Sequence, residues 1–114
     1  MQQRNKLNKY VLDIESVLNE LDQILALHKS DYLSFSSDFI AVRAVERDFI
    51  IIGEAVGKMI KLDESINISG AKDIIGLRNL LVHAYDSIDA SVLWKILIKD
   101  LPILKEEIAN IRQD

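Results

Sequence analysis

Apolar residues return at intervals of three and four along nearly the whole chain, and no stretch alternates apolar and polar with a period of two. That period fits helices and argues against half-buried strands. Leu7, Val11, Ile14, Leu18, Leu21 and Leu25 form the first stripe, widened by Tyr10, Val17 and Ile24. They predict an amphipathic helix over residues 4–28. Residues 29–37 are rich in Ser and Asp and read as a loop. Asp38 or Ser37 caps a second helix over 38–62. Its stripe is Val42, Val45, Phe49, Ile52, Val56 and Met59, and further apolar residues on other faces mark it as the more buried of the two. Gly53 and Gly57 lie one turn apart inside it, each costing about 1 kcal/mol relative to Ala in an exposed helix. Close approach of another helix, within the chain or across a dimer, is the expected compensation.

Residues 62–70 lack periodicity and form the longest expected loop. A third helix is expected over 71–85, then a turn at 86–89 with Asp89 as the next N-cap. Trp94, Leu97, Leu101, Leu104, Ile108 and Ile111 keep one phase through the last segment, although Pro102 sits among them. Proline lacks an N–H and crowds the carbonyl of Ile98. The unbroken phase favours one helix over 90–112, kinked near Pro102; the alternative is a new helix capped by Asp100 with Pro102 in its first turn. The expected architecture is all-α, an antiparallel four-helix bundle in a single domain spanning 1–114.

The 114 residues carry a net charge of −4 and a pI near 5.1. This argues against a chain built to coat nucleic acid but leaves room for an enzyme that touches RNA at one local site. There is no cysteine, which removes disulfides and zinc-thiolate sites. No apolar run is long enough to span a membrane and no leader pattern is evident, so a cytoplasmic protein is expected.

Chemistry concentrates in Arg78-Asn79-Leu80-Leu81-Val82-His83-Ala84-Tyr85. On a helix, with Arg78 at zero, Asn79 falls at about 100°, His83 at about 140° and Tyr85 at about 340°. Ile74, Leu77, Leu80, Leu81 and Ala84 fall between roughly 200° and 320°, giving a core stripe with the polar groups opposite. Arg78 and His83 are too far apart around the axis to grip one small atom from a single helix. They can flank a groove, or meet their counterparts from a second copy. His suits proton transfer near neutrality. Arg suits phosphate, since its planar fork stays charged and makes paired hydrogen bonds. Two His and scattered carboxylates show no metal-ligand spacing.

Other polar and aromatic residues have plainer readings. His28 reads as a solvated helix-end histidine. Glu54 reads as a buried-side partner for Arg47 or for an Arg of another helix, and Trp94 as a core anchor.

The Arg-to-His-to-Tyr spacing resembles the RxxxxHxY signature of HEPN ribonucleases, specifically HepT-like toxins. Ala44-Val45-Glu46-Arg47, Ile51-Ile52-Gly53-Glu54-Ala55, Ile74-Ile75-Gly76-Leu77-Arg78-Asn79, Trp94 and Asp100-Leu101-Pro102 resemble that family in the same order. The resemblance implies an all-α homodimer whose paired motifs line an interface cleft. It implies metal-independent RNA cleavage with Arg78 and His83 catalytic and Asn79 supporting, leaving a 2′,3′-cyclic phosphate and a 5′-hydroxyl. It also implies a toxin neutralised by an MntA-like nucleotidyltransferase antitoxin, with Tyr85 accepting AMP. Tyr85 otherwise reads as a core-edge tyrosine or a base-stacking one. The competing function is a non-catalytic nucleotide- or substrate-binding subunit for a separately encoded nucleotidyltransferase. Neither function calls for a cofactor.

Overall fold

The computed structural model describes residues 2–84 and 88–112, and every regular element among them is helical. Helix α1 is Gln2–Leu27, α2 is Tyr32–Ser36, α3 is Phe39–Leu62 and α4 is Ala71–Ala84. Helix α5, Ala90–Lys95, passes through a wider π-type turn, Ile96–Asp100, into α6, Leu101–Arg112. The four long helical segments are those expected, and together they make an all-α bundle.

The core follows the predicted stripes. Val11, Ile14 and Leu21 of α1 meet Val45, Ile52 and Val56 of α3, and Leu93, Leu97, Leu104 and Ile108 close the other side. Caps fall where short polar side chains precede the helices. Asp38 accepts from the amides of Ile40 and Ala41 at 3.1 and 3.3 Å, and Asp89 accepts from Ser91 at 3.1 Å.

Helix α2 occupies part of the expected 29–37 loop. Five residues are too few to show a period, and three of them are Ser or Tyr. Its start is fixed by Asp31, which accepts from the Ser34 amide at 2.9 Å. Its anchor is Phe35, buried against Trp94 with ring centroids 5.4 Å apart, while Tyr32 meets the same indole edge-on at 5.8 Å. Trp94 is thus the core anchor expected, clasping α2 to α5.

His28 is not solvated. It is 8% exposed, with Nδ1 2.7 Å from Ser34 Oγ and Nε2 3.2 Å from Asp38 Oδ2. Sequence reasoning saw a helix end and missed that α2 folds back over it.

The last helical segment runs through Pro102 without interruption. The accommodation lies just upstream, where the amide of Leu101 reaches back to the carbonyl of Ile96. Widening one turn makes room for a residue that has no N–H and whose ring would otherwise strike the preceding turn.

The 63–70 connection is tied at both ends. Asp63 accepts from the Ser65 amide at 3.0 Å, Ile68 is buried, and the Ser69 amide donates to Glu107 of α6 at 3.1 Å. This fixes where α4 begins.

Candidate active site on helix α4

Helix α4 packs chiefly against α3, and two glycines set how closely. A Cβ added at Gly53 would overlap Cβ of Arg78 and stand 2.9 Å from its Cγ and 3.2 Å from the Ile74 carbonyl oxygen. At Gly57 the nearest atom would be Cδ1 of Ile75, at 3.9 Å. The expected helix approach therefore occurs within the chain, and Gly53 is the position that requires it.

This approach turns α4 away from the predicted orientation. Ile74, Ile75, Arg78 and Leu81 face α3, whereas Leu80, expected in the core stripe, is 46% exposed. The buried face is rotated by roughly a fifth of a turn toward Arg78. A bare backbone at Gly53 accepts the aliphatic stem of an Arg as readily as a Leu, which a count of apolar residues on α4 alone does not register.

Arg78 is consequently half-buried rather than opposite the core; its side chain is 30% exposed. Nη2 donates to Glu54 Oε1 at 3.1 Å and Nη1 donates to Asn79 Oδ1 at 3.0 Å. Nε is buried and has no acceptor among the described residues. Glu54 pairs with an Arg of another helix as one of its readings had it, but it is 45% exposed and not on the buried side.

Along this seam runs an open groove of roughly 500 Å³ lined by Gly53, Glu54, Gly57, Lys58, Arg78 and Asn79, with Lys61 at its end. Lys58 and Lys61 were not singled out from sequence. The signal was their spacing, four and seven residues after Glu54, which puts all three on one face of α3. The groove is locally cationic although the chain is acidic.

His83 does not line it. It is exposed on α4, about 7.5 Å further along the axis and about 140° around from Arg78. A single chain thus brings Arg78 and Asn79 together with Glu54 but leaves His83 apart. On the His83 side Gly76 is exposed, with nothing of the described structure within 4 Å of where its Cβ would stand. Tyr85 lies outside the described residues. Among the described residues no three His, Asp or Glu side chains converge as metal ligands.

The sequence profile of the family described as Ribonuclease HepT-like matches residues 8–111. The chain belongs to the HepT-like ribonuclease family. It is 36% identical over 95 residues to "Putative RNase MJ1380" of Methanocaldococcus jannaschii, covering 81% of this chain and 86% of that protein. It is 29% identical over 102 residues to "Putative RNase TTE0752" of Caldanaerobacter subterraneus, covering 88% and 91%. A third relative, "Gamma-glutamylcyclotransferase and putative RNase MJ0434" of Methanocaldococcus jannaschii, is 30% identical over 109 residues, which cover 90% of this chain and 49% of that protein. No solved structure matches significantly. This HepT-like chain carries Arg78, Asn79 and His83 on one helix, with Arg78 seated in a glycine notch. Among the described residues no helix is long and apolar enough to cross a membrane.

Proposed function

We propose that this chain is a metal-independent RNA endonuclease that acts as a homodimer. The observation that carries the reading is the arrangement on α4. Arg78 is anchored with its terminal nitrogens at a cationic groove, and His83 is exposed on the same helix but out of its reach. Arg78 holds the scissile phosphate and balances the charge that builds on the phosphorane. His83 removes the proton from the 2′-hydroxyl, or returns one to the leaving 5′-oxygen. The oxygen attacks the adjacent phosphorus, leaving a 2′,3′-cyclic phosphate and a 5′-hydroxyl. Asn79 steadies the guanidinium.

A second copy supplies what one chain lacks. Gly76 stands seven residues before His83, so the two share one line along the helix. An unopposed glycine inside a helix costs about 1 kcal/mol relative to Ala with no gain within the chain. Beside the exposed Leu80, it favours the His83 side of α4 as the face that meets a symmetric partner.

Membership of the HepT-like family extends the reading to a toxin neutralised by a nucleotidyltransferase antitoxin that transfers AMP to Tyr85. An added AMP group carries negative charge and bulk that would compete with the RNA phosphate.

The test is cleavage of single-stranded RNA by the purified protein. His83→Ala should lower the rate by at least about a hundredfold, the scale of a positioned acid–base group. EDTA should have no effect. Cleavage that persists in His83→Ala, or that stops with EDTA, rules the reading out.

A further inference from the structure

Arg78 is the group asked to bind phosphate, yet α4 alone gives it little to hold its position. On its own helix the contact to the guanidinium is Asn79, the next residue. The rest comes from α3. Gly53 forms the floor under the stem, close enough that no side chain fits between, and Glu54 takes Nη2 at 3.1 Å. With Asn79 on Nη1 and Glu54 on Nη2, the plane of the fork is fixed at both ends. Among the described residues the buried Nε has no acceptor, so this orientation leaves one donor unmet.

We propose that Glu54 is a positioning residue of the site, aiming the Arg78 fork so that its remaining N–H groups face a bridging phosphate of single-stranded RNA. This rests on the ribonuclease reading above. Each terminal nitrogen carries two hydrogens, and one on each is already used. The pair stays open to water, so a phosphate reaches the others without displacing Glu54. Lys58 and Lys61 line the same groove and, with Arg78, outnumber the single carboxylate, so the groove keeps its attraction for an anion. A stabilising role for the ion pair is the plainer account. Half-exposed pairs contribute little to folding, however, and this one sits where a glycine is needed to seat its Arg.

The experiment compares wild type, Glu54→Ala, Glu54→Gln and Arg78→Ala as full-length protein on one single-stranded RNA. It reads kcat and KM separately, the thermal midpoint, and the nitrogen-15 NMR signal of the Arg78 Nε–H. Glu54→Ala should merge that signal with those of freely moving arginines and lower kcat about ten- to a hundredfold, the scale of a slightly misplaced group. Its thermal midpoint should stay near wild type. Glu54→Gln keeps an acceptor oxygen and should restore most of kcat. Unchanged kcat in Glu54→Ala beside an inactive Arg78→Ala overturns the role of Glu54 alone. A loss explained by a falling thermal midpoint, with Glu54→Gln no better than Glu54→Ala, also overturns it. Wild-type protein that leaves RNA intact overturns the ribonuclease reading itself.

Discussion

The side chain of Arg78 crosses Gly53 so closely that a single added methyl group has no place between them. Gly53→Ala therefore forces α3 and α4 apart or drives Arg78 out of its seat. It should cost about 1–3 kcal/mol in urea denaturation, the usual range for overpacking, and should lower RNA cleavage more than its stability loss explains. Gly57→Ala is the control. Its new Cβ meets Ile75 at ordinary contact distance, so the better helix propensity should leave stability unchanged or raised by up to about 1 kcal/mol.

Gly76 gives the opposite expectation. Within the chain a side chain there has open space, so Gly76→Leu should fold, with stability unchanged or raised by up to about 1 kcal/mol. If α4 meets α4 of a partner, the same change should convert dimer to monomer in light scattering at micromolar concentration and abolish cleavage. A dimer that withstands it places the interface elsewhere.

Asp48 of α3 is 2% exposed and hydrogen-bonded to Glu20 of α1. Burial, then the neighbouring Glu20, push its carboxyl up from 3.8 to about 7, against a smaller opposing pull from Arg47. A carboxyl raised in the folded state keeps its proton where the unfolded chain has lost it. The stability it contributes is complete below pH of about 4, declines as pH rises toward 7, and is gone above that. Asp48→Asn holds the same shape with no proton to lose. It should be more stable than wild type at pH 8, by about 1–3 kcal/mol, the cost of a buried group left poorly satisfied. The gap should narrow at pH 5. Urea denaturation at the two pH values measures both.

Tyr85 follows His83 by two residues, and its proposed role is control. Tyr85→Phe should keep RNA cleavage while escaping neutralisation by a co-expressed nucleotidyltransferase, and it should lack the AMP-sized mass steps expected on the wild type. Full silencing of Tyr85→Phe by that partner would mean inhibition by binding alone. Loss of cleavage without the partner would put the phenol in the active site.

The long helices, their caps at Asp38 and Asp89 and the course of the chain through Pro102 were legible because each rests on a local rule: periodicity, a short polar side chain, an unbroken phase. The candidate residues on α4 were legible from spacing and from the family signature. Three features were not, for one shared reason. The face that α4 buries depends on a glycine in α3. The burial of His28 depends on a five-residue helix whose anchor is Trp94, far along the chain. The raised carboxyl of Asp48 depends on its burial under α1, and then on Glu20 across the α1–α3 contact. Each is decided by a residue on another element, and a single helix read alone carries no trace of it.

The Glu107 hold on the Ser69 amide and the Gly53 notch together fix the angular setting of α4 about its own axis. Inserting a residue before Ile68 only lengthens a surface connection, and the chain should absorb it. Inserting one between Ala71 and Leu77 keeps the helix but turns everything beyond it by about 100°. Arg78 would then leave its seat, a neighbour would be pressed into a notch too narrow for it, and His83 would face a new direction. Insertions and deletions in this region should therefore be tolerated before Ile68 and not after Ala71, although the two positions are a few residues apart.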